Sequence, residues 1–330
     1  SASFLLSGSL SDLWAVTIMI KISALSDTGR GVLLVLLAWM IWAIDPILIR
    51  VIGAVPSLLL AGLALTAGGL TALPHGLKVL RGKPRVPWAY WILFLVYILL
   101  CTGLAEVCYI SAVKKLNPGL VSVTLRSQLA LVVMVGFLAF KERFTRITWM
   151  GILIILIGNL LNGWYRYSHS GDQTGKTALQ GWFLAMGAMC CWGLGTVIGK
   201  LLLRRFAPIT MTGLRLTTAG ILLILLSLVL DGVTAWQNLA LWQCLLILAK
   251  GCLISALGYN LYFHGLQYVK VGVAAALEQL APVLTFLYTW LIFRETLTLL
   301  EFSFVGLMLI GTFTTIAGEY YPKKRNASEA

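Results

Sequence analysis

Apolar residues make up 59% of this 330-residue chain and charged residues only 11%. Soluble domains carry about 25% charged residues, so the composition excludes an ordinary water-soluble globule and predicts a chain that faces lipid or a buried bundle. The formal net charge of +13 would suggest nucleic acid in a soluble protein. Here the basic residues cluster at the ends of apolar runs, so no nucleic-acid partner is expected and membrane lipid is.

In chain order, residues 1–29 come first. The run 13–20 is apolar but too short to cross a bilayer, and Lys21 follows it. It is read as a cytoplasmic tail or an interfacial helix. With no basic region ahead of it, it does not resemble a cleaved signal peptide. A helix needs roughly 20 apolar residues to cross the hydrocarbon core. Ten segments meet that requirement: 30–52, 55–73, 89–112, 118–140, 147–165, 180–202, 208–230, 240–266, 271–293 and 300–319. The runs are continuous, not alternating, which predicts helices and not an outer-membrane barrel. The polar stretch 166–178 is the expected joint between two halves, 30–165 and 179–320, and 321–330 is a charged tail.

The halves repeat. Residues 105–161 align with 258–314 without a gap: Tyr109 on Tyr262, Gly119 on Gly272, Phe140-Lys141-Glu142 on Phe293-Arg294-Glu295, and Gly158 on Gly311. Upstream, Trp42 falls on Trp192 and Arg50 on Lys200. A duplicated unit with an odd number of spans must enter the membrane in opposite orientations. The expected fold is therefore an all-α integral membrane protein of ten transmembrane helices, built as two inverted five-helix repeats, a geometry that places a site near the mid-membrane. With the N-terminus in the cytoplasm, sixteen Lys and Arg residues fall on inside segments and six on outside segments. Both termini are thus expected to be cytoplasmic, in a plasma membrane or bacterial inner membrane.

Six ionisable residues lie within the spans: Asp45, Glu106, Arg126, Arg215, Lys250 and Glu278. Each costs at least about 2.5 kcal/mol at a helix centre unless paired or watered. Depth in the membrane suggests three structural ion pairs: Glu106 with Arg126, Arg215 with Glu278, and Asp45 with Lys250. Some of these residues are also expected to line a watered cavity. Asp45 and Glu278 each stand near a proline, Pro46 and Pro282, where a helix is expected to bend and free carbonyls. They are the candidates for proton coupling. Aromatic faces attract cations and stack on flat solutes, which adds Trp42, Trp192, Tyr109 and Tyr259 to Glu106, Arg126 and Glu278 as candidate substrate-binding residues, with Tyr262 beside them. The six cysteines lie inside spans without a metal-ligand spacing, so no metal or cofactor is expected. No Walker A loop, HExxH or GxSxG is present, so neither ATP hydrolysis nor enzyme chemistry is expected, and a membrane-embedded lipid-modifying enzyme is the weakest alternative.

The two five-helix halves, Phe140-Lys141-Glu142, Pro282-Val283-Leu284 leading to Phe293-Arg294-Glu295, Cys191-Trp192-Gly193-Leu194-Gly195, Lys200 and Arg215 together resemble the EamA-type branch of the drug/metabolite transporter superfamily. The resemblance covers about 30–320. It implies a secondary transporter, as a monomer or homodimer, that moves a small metabolite by alternating access and exports it. The solute would be an amino acid, a related zwitterion or an organic cation. An organophosphate or nucleotide-sugar exchanger of the same superfamily is the alternative, on the bases Arg126, Arg215 and Lys250.

Overall fold

The computed structural model describes residues 27–328 apart from 82–85, 132, 133, 136–144, 170, 171, 203, 267, 269–276, 278, 279, 296 and 297. Among the described residues every regular element is helical. The longer helices are α1 (Asp27–Ile52), α2 (Ser57–Arg81), α3 (Trp88–Lys115), α4 (Pro118–Arg126), α5 (Arg146–His169), α6 (Asp172–Leu202), α7 (Pro208–Leu230), α8 (241–266), α9 (Leu280–Phe293) and α10 (Leu299–Ser328), and a five-residue helix, Val233–Gln237, lies between α7 and α8. Six helices among the described residues are long and apolar enough to cross a membrane: α1, α2, α3, α6, α7 and α8. Shorter apolar helices lie at Arg146–Asn162, Ala281–Phe293 and Leu299–Thr315. The polar stretch 166–178 is helical through His169 and again from Asp172.

Local chemistry sets the ends. Asn117 caps α4 by accepting from Gly119 N–H at 2.9 Å, with Pro118 at the first helical position, where its missing donor costs nothing. Thr298 and Glu301 form a reciprocal capping box at the start of α10. The bend expected to interrupt the first helix at Pro46 is not a break, because α1 continues through Pro46 to Ile52. The carbonyl that a proline leaves unbonded is tolerated where neighbouring helices supply other partners.

Packing pairs helices across the chain, not along it. The most extensive contacts join α2 to α7, α5 to α10, α3 to α6 and α1 to α8. Each pair runs antiparallel. Along α2, Gly62, Gly69 and Gly76 sit in turn against Ile224, Thr217 and Thr210 of α7. Along α5 and α10, Thr148, Gly151 and Gly158 meet Gly318, Thr315 and Met308. A Cβ on Gly69 would overlap Thr217, and one on Gly220 would overlap Thr66. Small residues are therefore required where these backbones cross, as in other membrane bundles. Large apolar side chains such as Leu225, Val229, Leu245 and Phe302 stay exposed on the outside, where lipid covers them.

Two segments depart from α geometry. Tyr97–Leu104 in α3 and Lys250–Leu257 in α8 are each eight-residue π-helical stretches. They occupy matching positions, related by the same offset that superposes 105–161 on 258–314. In each, the residue that follows reaches back five positions: Ala105 N–H to Leu100 O, and Gly258 N–H to Leu253 O. Trp42 Nε1 donates to Ile254 O at 3.0 Å in the second stretch. π-Helical turns are rare and cluster at functional sites.

Candidate functional site

The buried charges meet beside these π-helical stretches. Lys250 Nζ donates to Asp45 Oδ1 at 2.7 Å and Oδ2 at 3.0 Å, and lies 3.0 Å from Glu106 Oε1. The Lys250 side chain is 2% exposed, Asp45 10% and Glu106 12%. One ammonium thus bridges carboxylates from α1 and α3, while Tyr109 presents its ring 5.9 Å away. An unpaired charge at this depth would cost several kcal/mol, so the three residues stand or fall together.

Arg215 of α7 forms the other pole. It is 6% exposed, donates from Nη1 to Tyr97 Oη at 2.9 Å, and lies 4.5 Å from the centre of the Tyr259 ring. Its Nε is buried with no hydrogen-bond partner. Between Arg215 and Glu106 runs a narrow cleft lined also by Thr102, Ser255, Tyr259, Trp192, Cys101 and the pair Leu65 and Leu216. Its cavity volume is about 30 Å³, room for a water molecule or two and far below the roughly 300–1,000 Å³ that holds drug-sized ligands, so the cleft is narrow in this conformation. The lining comes from α2 and α3 in the first half and from α6, α7 and α8 in the second.

Of the residues expected from sequence, Glu106, Trp192 and Tyr259 line this cleft. Trp42 packs beside it, 5.1 Å from Tyr259 and 5.3 Å from Tyr262. Tyr109 lies 5.2 Å from Trp192. Asp45 and Lys250, expected as a couple from their depths, are in contact. The couple Glu106–Arg126 is corrected: the ion-pair partner of Glu106 is Lys250. Arg126 places its guanidinium 4.9 Å from the centre of the Trp39 ring. Equal depth is not a shared face, because Arg126 turns toward α1 while Glu106 turns toward α8. Glu278, expected opposite Arg215 and as a coupling group, lies outside the described residues, as does Phe140-Lys141-Glu142.

Sequence reasoning missed Arg215 as a cleft residue, along with Thr102 and Ser255. A signal was present: Glu106 and Tyr259 are equivalent in the ungapped alignment, and the same offset, carried three residues upstream, relates Thr102 to Ser255. It also missed an ion pair at one end of the bundle. Arg50 Nη2 meets Glu295 Oε1 at 2.6 Å, and Asn117 Nδ2 donates to Glu295 Oε2 at 2.8 Å. Lys114 Nζ donates to Val55 O nearby. Among the described residues no group of His, Cys, Asp or Glu is arranged to hold a metal ion.

The EamA-like transporter family matches over residues 29–164 and 179–317, one match in each half. The chain belongs to the EamA-like transporter family. It is therefore a transporter and not an enzyme, and an integral membrane protein. Among its EamA-like relatives is an uncharacterized transporter of Synechocystis sp., 26% identical over 77% of this chain and 79% of that protein. Proteins named probable amino-acid metabolite efflux pump, from Salmonella typhimurium and Escherichia coli, are each 26% identical over 86% of this chain and 94% of their own length. A crystal structure 19% identical, covering 86% of this chain and 96% of its own, superposes with a TM-score of 0.59 and supports the fold alone.

Proposed function

We propose that this EamA-like protein is a secondary carrier that exports a small metabolite (an amino acid, a related zwitterion or an organic cation) by alternating access. The observation that carries the reading is a polar cleft, bounded by Glu106 and Arg215, buried between helices of both halves inside an apolar shell. A bundle held only by packing has no use for four buried ionic groups that cost energy to keep there. The names of the Salmonella and Escherichia relatives agree with an amino-acid-like solute.

The proposed architecture is ten spans in two inverted five-helix repeats, with both termini cytoplasmic. It is supported by the antiparallel run of α2 against α7 and of α5 against α10, which hold the second and fifth places in each half. It is also supported by the exchange of partners between halves, α1 with α8 and α6 with α3, and by the matched π-helical stretches. Inversion lets the same packing close the cleft toward either face in turn. Asp45 and Glu278 are the proposed coupling groups if protons drive the cycle. An organophosphate exchanger would need several bases converging on the cleft, whereas Lys250 is already held by two carboxylates and Arg215 is the one base in the cleft lining among the described residues.

Reconstituted protein in sealed proteoliposomes should release a preloaded amino acid faster than empty vesicles do, and an imposed pH gradient should alter the rate. Flux no faster than that of protein-free vesicles, across amino acids, amines and sugar phosphates, would remove the carrier reading. A Glu278→Gln protein that kept its full dependence on the pH gradient would exclude Glu278 as the coupling group.

A further inference from the structure

Resting on the carrier reading, we infer that Arg215 and Glu106 are the specificity poles of the cleft. Arg215 takes the carboxylate of the solute and Glu106 its ammonium group. The charges divide to make this so. Asp45 engages Lys250 through both oxygens, which compensates one negative and one positive charge. Glu106 shares that ammonium with Asp45, its Oε1 3.0 Å away, and so holds half a partner. Arg215 is the remaining cation of the lining among the described residues; its hydrogen-bond partners there, Tyr97 and Tyr259, are neutral, and Glu106 across the cleft is within range of its charge. Its buried Nε has no hydrogen-bond partner. A guanidinium with an unused donor recognises a carboxylate with charge-assisted bonds. A carboxylate whose ammonium partner is shared with a second carboxylate recognises another ammonium in the same way.

The two groups line one cleft, so a single small solute that enters it when it opens spans them. A zwitterion satisfies both poles and adds no net charge to the bundle. An amine leaves Arg215 uncompensated, and a plain acid does the same to Glu106. Arg215 is the group that depth alone had paired with Glu278. It touches the proposed solute directly, whereas Lys250 positions Glu106.

The test uses the full chain in detergent and reads thermal stabilisation by a panel of α-amino acids, each beside its decarboxylated amine and its deaminated acid, such as leucine, isoamylamine and isocaproate. At least one amino acid should raise the melting temperature where neither matched analogue does. Arg215→Gln should weaken that response by roughly tenfold or more, the size of one lost charge-assisted bond, with partial recovery in Arg215→Lys. Glu106→Gln should weaken it comparably. Should either variant fail to fold, the unmodified protein still decides, through the amino acid against its amide, which keeps the ammonium and loses the carboxylate charge. An amine, acid or amide as effective as its amino acid overturns the assignment. So does a protein that carries another solute in proteoliposomes while no amino acid stabilises it; that outcome leaves the carrier reading standing. Failure of all flux removes both.

Discussion

Lys250 is the residue on which the buried cluster turns. It stands 2.7 Å from Asp45 and 3.0 Å from Glu106, with its side chain 2% exposed. Removing one partner of a buried pair leaves an uncompensated charge, at a cost of about 3–5 kcal/mol. Lys250→Met should therefore lower the melting temperature in detergent sharply, and Lys250→Met combined with Asp45→Asn should recover much of the loss. A single variant as stable as the double would show that the cluster is watered and not buried. That Asp45, Glu106, Arg126, Arg215 and Lys250 sit within helices was legible from sequence, because charges are rare in these apolar runs. Which of them touch was only partly legible. Counting residues from a turn gives depth, which suited Asp45 and Lys250, but not the azimuth that sends Arg126 to Trp39 and Glu106 to Lys250.

Among the elements, the π-helical stretches of α3 and α8 decide where the cleft residues point. Their hydrogen bonds differ from those of an α-helix only in which carbonyl accepts, and an apolar pattern does not encode that choice; this is why Tyr97–Leu104 and Lys250–Leu257 were invisible in the sequence while the helices containing them were plain. Trp42 ties α1 to the second stretch through Ile254 O. Trp42→Phe keeps the ring and loses the donor, so it should destabilise by about 0.5–1.5 kcal/mol, measured by thermal melting. The Arg50–Glu295 pair joins α1 to the end of α9 with side chains 32% and 35% exposed. Solvent screens such a pair, so Arg50→Ala should cost at most about 1 kcal/mol in the same assay, and a larger loss would mean that the pair is screened less than its exposure implies.

For the molecule as a whole, the expectation of a duplication rests on Trp42 and Trp192, or Phe293-Arg294-Glu295 and Phe140-Lys141-Glu142, which recur in order, and the family matches separately over 29–164 and 179–317. The crossing of the halves was not legible, since glycines mark close packing without naming the partner helix. Gly69 lies against Thr217 and Gly151 against Thr315. Gly69→Leu should destabilise the protein by more than the 1–3 kcal/mol or so typical of overpacking, because Thr217 backbone occupies the space; normal expression and melting of that variant would contradict the α2–α7 crossing. The central claim is that the cleft opens to each side of the membrane in turn. Cys101 lines it and is 3% exposed. With the other five cysteines replaced, Cys101 should react with a membrane-impermeant thiol reagent added to either side of sealed, uniformly oriented proteoliposomes, and the transported solute should slow both reactions. Reaction from one side only, whatever solute is present, would contradict alternating access.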